Sequence, residues 1–236
     1  MSRRFGGVST DNVNVVHHAA IDALSEVSVF IRSFRTGDGG NNLGRYASKA
    51  QGSNNDWQVY NNLSSSATNF DVTRWGTTAG QWQIPAVAIS DWHSLCFTYS
   101  YSSTANNPKG YIDTVSQTVT RLTAPSGTLG AATSDVCVGN NAASGGVRVF
   151  AGDLADFAIW NRILSPGEVS IVHYLGPARV ANGLVLYLPL DGNDSPEPNR
   201  ATGTGALKNG TVTGTTKGRL LFGASTDRSR ISRFAS

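Results

Sequence analysis

The sequence predicts an all-β protein: an antiparallel two-sheet sandwich of the jelly-roll kind with one short helix on its C-terminal side. Three observations carry this. Short runs of strand-forming residues recur between clusters of Gly, Asn, Asp and Ser. The 236 residues hold 26 Gly and only 15% charged residues, yet five Trp, nine Phe and seven Tyr are available to fill a core. Only one segment carries helix start and stop signals, whereas a parallel α/β fold needs a helix between successive strands.

The strand candidates, in order, are "NVNVV", "SVFIRSF", "GRYASKA", "DWQVYN", "NFDVTRW", "QWQIPAV", "DWHSLCFTYSY", "KGYID", "QTVTRL", "SDVCVG" and "DLADFAIW". Alternate apolar residues of such runs form the inner faces of two packed sheets. Trp57, Trp92 and Trp160 are assigned to the core. The stretch "HHAAIDALSEV" suggests a turn of helix around Ile21 to Leu24.

The helix follows "DLADFAIW". Ser165 and Glu168 have capping-box spacing, in which each side chain accepts a hydrogen bond from the other's backbone amide. Pro166 suits the first helical position, Leu164 can staple onto Val169, and Gly176 with Pro177 ends the helix. Val169, Val172 and Leu175 are read as its apolar face.

A formal net charge of +3 is gathered at the ends, on Arg3 and Arg4 and on Lys217, Arg219, Arg228, Arg230 and Arg233. No aromatic residue interleaves with the C-terminal charges until Phe222 and Phe234, so a solubilising, flexible tail is preferred over nucleic-acid binding, with docking on an acidic neighbour a further alternative. The sequence shows neither the apolar region of a signal peptide nor a membrane-spanning run, and it is read as a soluble, unprocessed product. Cys96 and Cys137 lie within strand-like runs and read as two thiols rather than a disulfide, with a bridge the alternative. The sequons at Asn62, Asn193 and Asn209 carry little weight without a secretory signal.

The order "FGGVSTDNVNV", "SEVSVFIRSF", "RYASKAQ", "DWHSLCFTYS", "KGYID", "DVCVGN" and "FAGDLADFAIWNRILSPGEV" resembles the laminin-G-like branch of the concanavalin A-like lectin and glucanase fold. The resemblance covers about residues 5 to 176. Its closing segment is the most specific part, with Gly152, Asp156, Trp160, Asn161, Arg162, Leu164, Ser165 and Glu168 where the pattern wants them. The first loop, "FGGVSTDNV", departs from the family's acidic pattern, and "YIDTVSQ" lacks the turn glycine.

The resemblance divides the chain into a jelly-roll domain, 1–176, and an extension, 177–236. In the extension, "NGLVLYLPLDGNDSPEPNRATGTGALKNGTVTG" is similar to the segment that normally opens such a domain. It reads either as an edge strand supplied to the same or a neighbouring domain, or as the start of a truncated second copy, and the first is preferred. Strand exchange between subunits would give a homo-oligomer. The segments "YSSTANNPKGYID", "TAPSGT" and "LPLDGNDSPEPN" resemble laminin-G-like proteins of tailed phages and marine viruses. That implies a virion component, assembled in the host cytoplasm and in contact with other virion proteins.

No enzymatic constellation is present. Glycoside hydrolysis on this fold needs two flanking carboxylates, and the chain has only Glu26, Glu168 and Glu197, of which Glu168 belongs to the helix cap. Asp153 and Asp156, three apart on a strand, are read as facing opposite ways. His17, His18, His93 and His173 lack metal-ligand spacing. No metal or catalytic site is assigned. The resemblance leaves a glycan site open, with calcium as the one cofactor such a loop could take. Candidate residues are Asp38, Asn41 and Asn42 in "TGDGGNN", whose competing reading is a plain turn, and Trp75 and Trp82 in "RWGTTAGQW", whose competing reading is core or interface packing. The reading drawn is a non-enzymatic virion structural protein, with a carbohydrate-binding module as the alternative.

Overall fold

A computed structural model describes residues 1–6, 10–50, 55–141, 147–201 and 209–219. The chain lays down β1 (Arg3–Gly6), β2 (Asn12–Val15), β3 (Glu26–Arg35), β4 (Arg45–Lys49), β5 (Trp57–Asn62), β6 (Ala67–Val72), β7 (Gly80–Pro85) and β8 (Trp92–Ser100). There follow β9 (Lys109–Ile112), β10 (Val115–Gln117), β11 (Thr120–Thr123), β12 (Val136–Val138), β13 (Ala151–Trp160), helix α1 (Pro166–Leu175), β14 (Leu184–Leu188), β15 (Thr211–Thr213) and β16 (Thr216–Lys217). The basic residues Arg228, Arg230 and Arg233 lie outside the described residues.

The strands form two antiparallel sheets of eight strands each among the described residues. Sheet A runs β10-β9-β8-β3-β13-β1-β16, with β14 also paired to β13; sheet B runs β11-β7-β6-β5-β4-β12-β2-β15. Each of the eleven predicted runs contains a strand. Between the sheets lies the main core, with Val29 and Ile31 of β3, Phe70 and Val72 of β6, Trp82 and Ile84 of β7, and Phe97 and Tyr99 of β8. Phe70 stacks on Phe97 across it at 5.0 Å. Burial of each such side chain stabilises the fold by about 1.5–3 kcal/mol.

Helix α1 closes a second, smaller core on the outside of sheet A. Val169 and Val172 meet Phe30, Cys96, Tyr111, Ala158 and Trp160 there. Both bonds of the capping box form: the Glu168 amide donates to Ser165 Oγ at 3.2 Å and the Ser165 amide to Glu168 Oε2 at 2.9 Å. Leu175 does not share the buried face and is exposed with Ile171 and Tyr174. Six residues after Val169 it has turned about 600°, well off that face. No helix is long and apolar enough to cross a membrane among the described residues.

Two bulges reset the strand alternation. In β4, Arg45 pairs with Tyr60 and Ala47 with Val59, so an extra residue puts both Tyr46 and Ala47 on the core side. In β13, Ala155 pairs with Arg32 and Ala158 with Phe30, and Asp156 takes a left-handed φ of 51°. This corrects the reading of Asp153 and Asp156 as opposed: the bulge turns Asp156 back to the outer face that carries Asp153. The expected helical turn at Ile21 to Leu24 is also absent, because Ala23 is left-handed with φ 50°, a conformation a helix excludes. Trp92 is half-buried at the sheet surface, edge-on to Phe34.

The extension folds back onto its own chain. β14 pairs with Phe157–Trp160 of β13, end to end with β1, which pairs with Ala151–Leu154. β15 joins β2 in sheet B and β16 joins β1 in sheet A. Through β14, β15 and β16 the extension therefore contributes to both layers of the sandwich.

Candidate functional site

Four neighbouring strands of sheet B turn a polar surface outward, amide-rich with one Arg and one Asp. Trp57, Val59, Phe70, Val72, Trp82 and Ile84 point into the core, so the residues alternating with them face away: Gln58 and Tyr60, Asn69 and Asp71, Gln81 and Gln83. Register aligns them in rows. Arg45 lies opposite Tyr60, Tyr60 opposite Asn69, and Asn69 opposite Gln83; one step along, Ser48, Gln58, Asp71 and Gln81 form a second row. At the usual strand spacing the first row spans about 14 Å.

These side chains pack on one another. The Arg45 guanidinium lies 4.0 Å over the Tyr60 ring, Asn69 Nδ2 donates to the Tyr60 hydroxyl at 3.3 Å, and Gln58 Nε2 donates to Asp71 Oδ2 at 2.9 Å. Consequently Arg45 is only 5% exposed and Asn69 and Asp71 2% each, although they face outward. Burial leaves polar atoms without a hydrogen-bond partner among the described residues: Arg45 Nε, Asn69 Oδ1, Asp71 Oδ1 and Gln83 Oε1 on this face, and Arg148 Nε beside it. Each such group carries a desolvation cost of about 1–3 kcal/mol.

The same burial displaces the ionisable groups. Desolvation lowers the Arg45 guanidinium to about 10, with the neighbouring charge of Arg148 adding to the shift. Burial raises the Asp71 carboxyl, opposed by hydrogen bonds from Gln58 and Tyr60. The Tyr60 phenol is raised by burial and by Asp71. The chemistry on offer is directional hydrogen bonding, with Asp71 the one carboxylate in the two rows.

Of the residues picked out from sequence, Asp38, Asn41 and Asn42 precede β4 in the chain. Gly40–Asn42 is a 3-10 turn with Asn41 and Asn42 exposed and left-handed, and Asp38 accepts from Arg35 at 3.0 Å. That turn leads into β4, where Arg45 NH1 donates to the Leu43 carbonyl at 3.0 Å. Trp75 and Trp82 are elsewhere. They are 8% and 0% exposed, and their indole N–H groups donate to the Tyr99 hydroxyl and Asn107 Oδ1. The correction is physical: Trp82 lies on the core side of β7, opposite in direction to Gln81 and Gln83, and neither ring can stack on a ligand. Arg45, Tyr60, Asn69, Asp71 and Gln83 were missed from the sequence; their only signal is the run of Gln and Asn at alternate positions in three successive strands.

The carboxylates considered for catalysis are engaged elsewhere. Glu197 pairs with Arg3 at 2.6 Å, Glu168 with Arg162 at 2.6 Å, Asp153 with Arg4 at 2.7 Å and Asp156 with Arg32 at 2.8 Å. Glu26 Oε2 accepts from the Ile163 amide at 3.3 Å. His93 Nδ1 pairs with Asp113 and His173 Nδ1 with Ser94 Oγ, while His17 pairs with Asp22. Among the described residues no three His, Cys, Asp or Glu side chains converge as a metal would require. A cation-like seat of Asp22 Oδ1 and the Ala132 and Ser134 carbonyls is filled by Lys49, whose ammonium lies 2.6 Å from each. Cys96 and Cys137 lie on different sheets and form no disulfide. Burial pushes the Cys96 thiol up to about 12.

Residues 6–170 match the laminin G family model described as the concanavalin A-like lectin/glucanases superfamily. No curated protein matches the sequence. Among solved structures, a protein from Bacteroides ovatus described as carbohydrate-binding superposes with a TM-score of 0.64 at 13% identity, covering 91% of this chain and 58% of that one. This chain thus spans under two thirds of that protein's length. A heptameric SAP-like pentraxin from Limulus polyphemus gives 0.54 at 15% identity, over 75% of this chain and 84% of the other. The CBM40 domain of the Ruminococcus gnavus IT-sialidase, solved with α2,3-sialyllactose, gives 0.50 at 12% identity, over 73% and 98%. At these identities the likeness is one of fold.

Proposed function

From a chain that belongs to the concanavalin A-like lectin/glucanase superfamily, we propose a non-enzymatic binding module that holds a glycan on the outer face of β4–β7. One observation carries the proposal: Arg45 Nε, Asn69 Oδ1, Asp71 Oδ1 and Gln83 Oε1 share that face, and among the described residues none of these four atoms has a hydrogen-bond partner, the Gln58 bond to Asp71 falling on Oδ2. Sugar hydroxyls donate and accept, so a saccharide laid along the row can satisfy both kinds of atom once the side chains that cover them swing aside. The Bacteroides and Ruminococcus structures with this fold are described as carbohydrate-binding, which supports the same reading.

The test is a glycan array, with and without calcium, on the chain and on an N69A/Q83A variant. Both side chains point out of the sandwich, so the variant should fold, and every glycan bound by the natural chain should be lost or weakened at least tenfold. Retained binding by the variant would move the site elsewhere.

Placement on the surface of a tailed-phage particle, among other virion proteins and further copies of the chain, is a second reading. It is supported by the exposed Ile171, Tyr174 and Leu175 of α1, an apolar patch that a partner could cover. Light scattering of the purified chain tests its oligomeric part: an oligomer dispersed by Y174S favours it, and a monomer at all concentrations counts against it.

A further inference from the structure

Two arginines meet at one end of the polar face, neither within salt-bridge distance of an acid among the described residues, with Asp71 the charged neighbour of Arg45 in the next row. The Arg45 amide donates to the Arg148 carbonyl at 2.9 Å, which brings the segment before β13 against the start of β4. Burial is the main cause that lowers the Arg45 guanidinium; the charge of Arg148 adds to it, and Tyr60 and Asp71 oppose it. Among the described residues Arg45 and Arg148 enter no ion pair, and neither do Arg74, Arg121, Arg179 and Arg200. The first two are set apart by an Nε that is buried and has no hydrogen-bond partner among those residues.

Like charges in a desolvated site repel, and an anionic group between them reverses the sign of that interaction. The planar guanidinium fork matches a carboxylate or a sulfate in particular. Along the same row, Asn69 Oδ1, Asp71 Oδ1 and Gln83 Oε1 are acceptors that require donors. One kind of molecule supplies an anion at one end and hydroxyl donors at the other.

We infer that this face takes an acidic glycan, with its carboxylate or sulfate on Arg45 and Arg148 and its hydroxyls on Asn69, Asp71 and Gln83. The inference rests on the reading of β4–β7 as the ligand face and names the ligand's class.

It is tested by calorimetric titration of the full chain with polygalacturonate, dextran sulfate and neutral dextran of matched length at physiological salt. At least one polyanion should bind, with neutral dextran at least tenfold weaker; polygalacturonate alone identifies a carboxylate and dextran sulfate alone a sulfate. R148A should weaken the polyanion at least tenfold. R121A, which removes an exposed arginine of edge strand β11, should stay within twofold. If R148A fails to fold, R148K keeps the charge but loses the fork, and it should still weaken binding several-fold. Binding of neither polyanion, equal binding of dextran, or equal losses in R148A and R121A would overturn the inference. If dextran binds and N69A/Q83A abolishes it, only the charge assignment fails; if N69A/Q83A leaves all binding intact, the ligand face itself is wrong.

Discussion

Arg3 and Glu197, 194 positions apart in sequence, meet inside the sandwich as an ion pair at 2.6 Å, their side chains 3% and 0% exposed. Glu197 also accepts from the Leu190 amide at 2.7 Å, and Arg3 donates to the Asp194 carbonyl at 2.6 Å. The pair fastens the first strand to the loop after β14. It makes the C-terminal extension part of the fold of its own chain.

Removal of Glu197 therefore strands a buried cation. E197A should cost about 3–5 kcal/mol, the usual loss when one member of a buried pair is deleted. Truncation after Gly176 should do worse, since it also uncovers the edge of β13 that β14 pairs with. Urea denaturation of E197A and light scattering of the truncation check both. A truncation that remains a well-folded monomer would contradict this role.

The helix cap gives a pH-dependent signature. Hydrogen bonds from Arg162, helped by the Ser165 amide, lower the Glu168 carboxyl to about 2. A carboxylate depressed in the folded state contributes stability that is complete above its ordinary value and is lost as pH falls toward about 2. E168Q should be about 1 kcal/mol less stable than the natural chain at pH 7, with the gap closing between the ordinary carboxylate range and pH 2. Parallel melting curves across that range measure it.

Asp56 shifts the other way. Burial raises its carboxyl to about 6, partly offset by the Tyr101 hydroxyl that donates to it. A raised folded-state value means the protonated form is favoured by folding, so its contribution is full at low pH and declines as pH rises through about 6. Relative to the natural chain, D56N should gain in melting temperature as pH rises from 4 to 7. A pH-independent difference would show that Asp56 is charged throughout.

Trp82 separates packing from recognition. It is fully buried, with Trp82 and Tyr99 rings 5.3 Å apart, so W82A should cost about 3–5 kcal/mol. The conservative W82F should keep glycan affinity within twofold while lowering stability. A selective loss of affinity in W82F at unchanged stability would return Trp82 to the binding site.

Much of the fold is legible because strand alternation and capping are local. "QWQIP" announces an inward Trp82 and Ile84, and Ser165 with Glu168 announces a helix start. The site is less legible for the same reason. Gln58, Asn69, Asp71 and Gln83 look like ordinary solvated positions until cross-strand register puts Asn69 between Tyr60 and Gln83, and no single strand encodes that register. Trp75 and Trp82 misled because the flanking "GTTAG" turn suggests exposure. Asp156 misled because a bulge adds a residue that strict alternation omits. Among the loop residues, Asn41 and Asn42 belong to the turn that leads into β4.

The most direct measurement is an amide-detected NMR titration of the 15N-labelled chain with the strongest array ligand, following the side-chain NH2 groups of Gln58, Asn69, Gln81 and Gln83 together with the Trp82 indole. Saturable shifts should concentrate on those four amides, while the Trp82 indole, hydrogen-bonded to Asn107 on the core side of β7, barely moves. Shifts confined to α1 or to the edge strands, with the four amides unmoved, would contradict a ligand face on β4–β7.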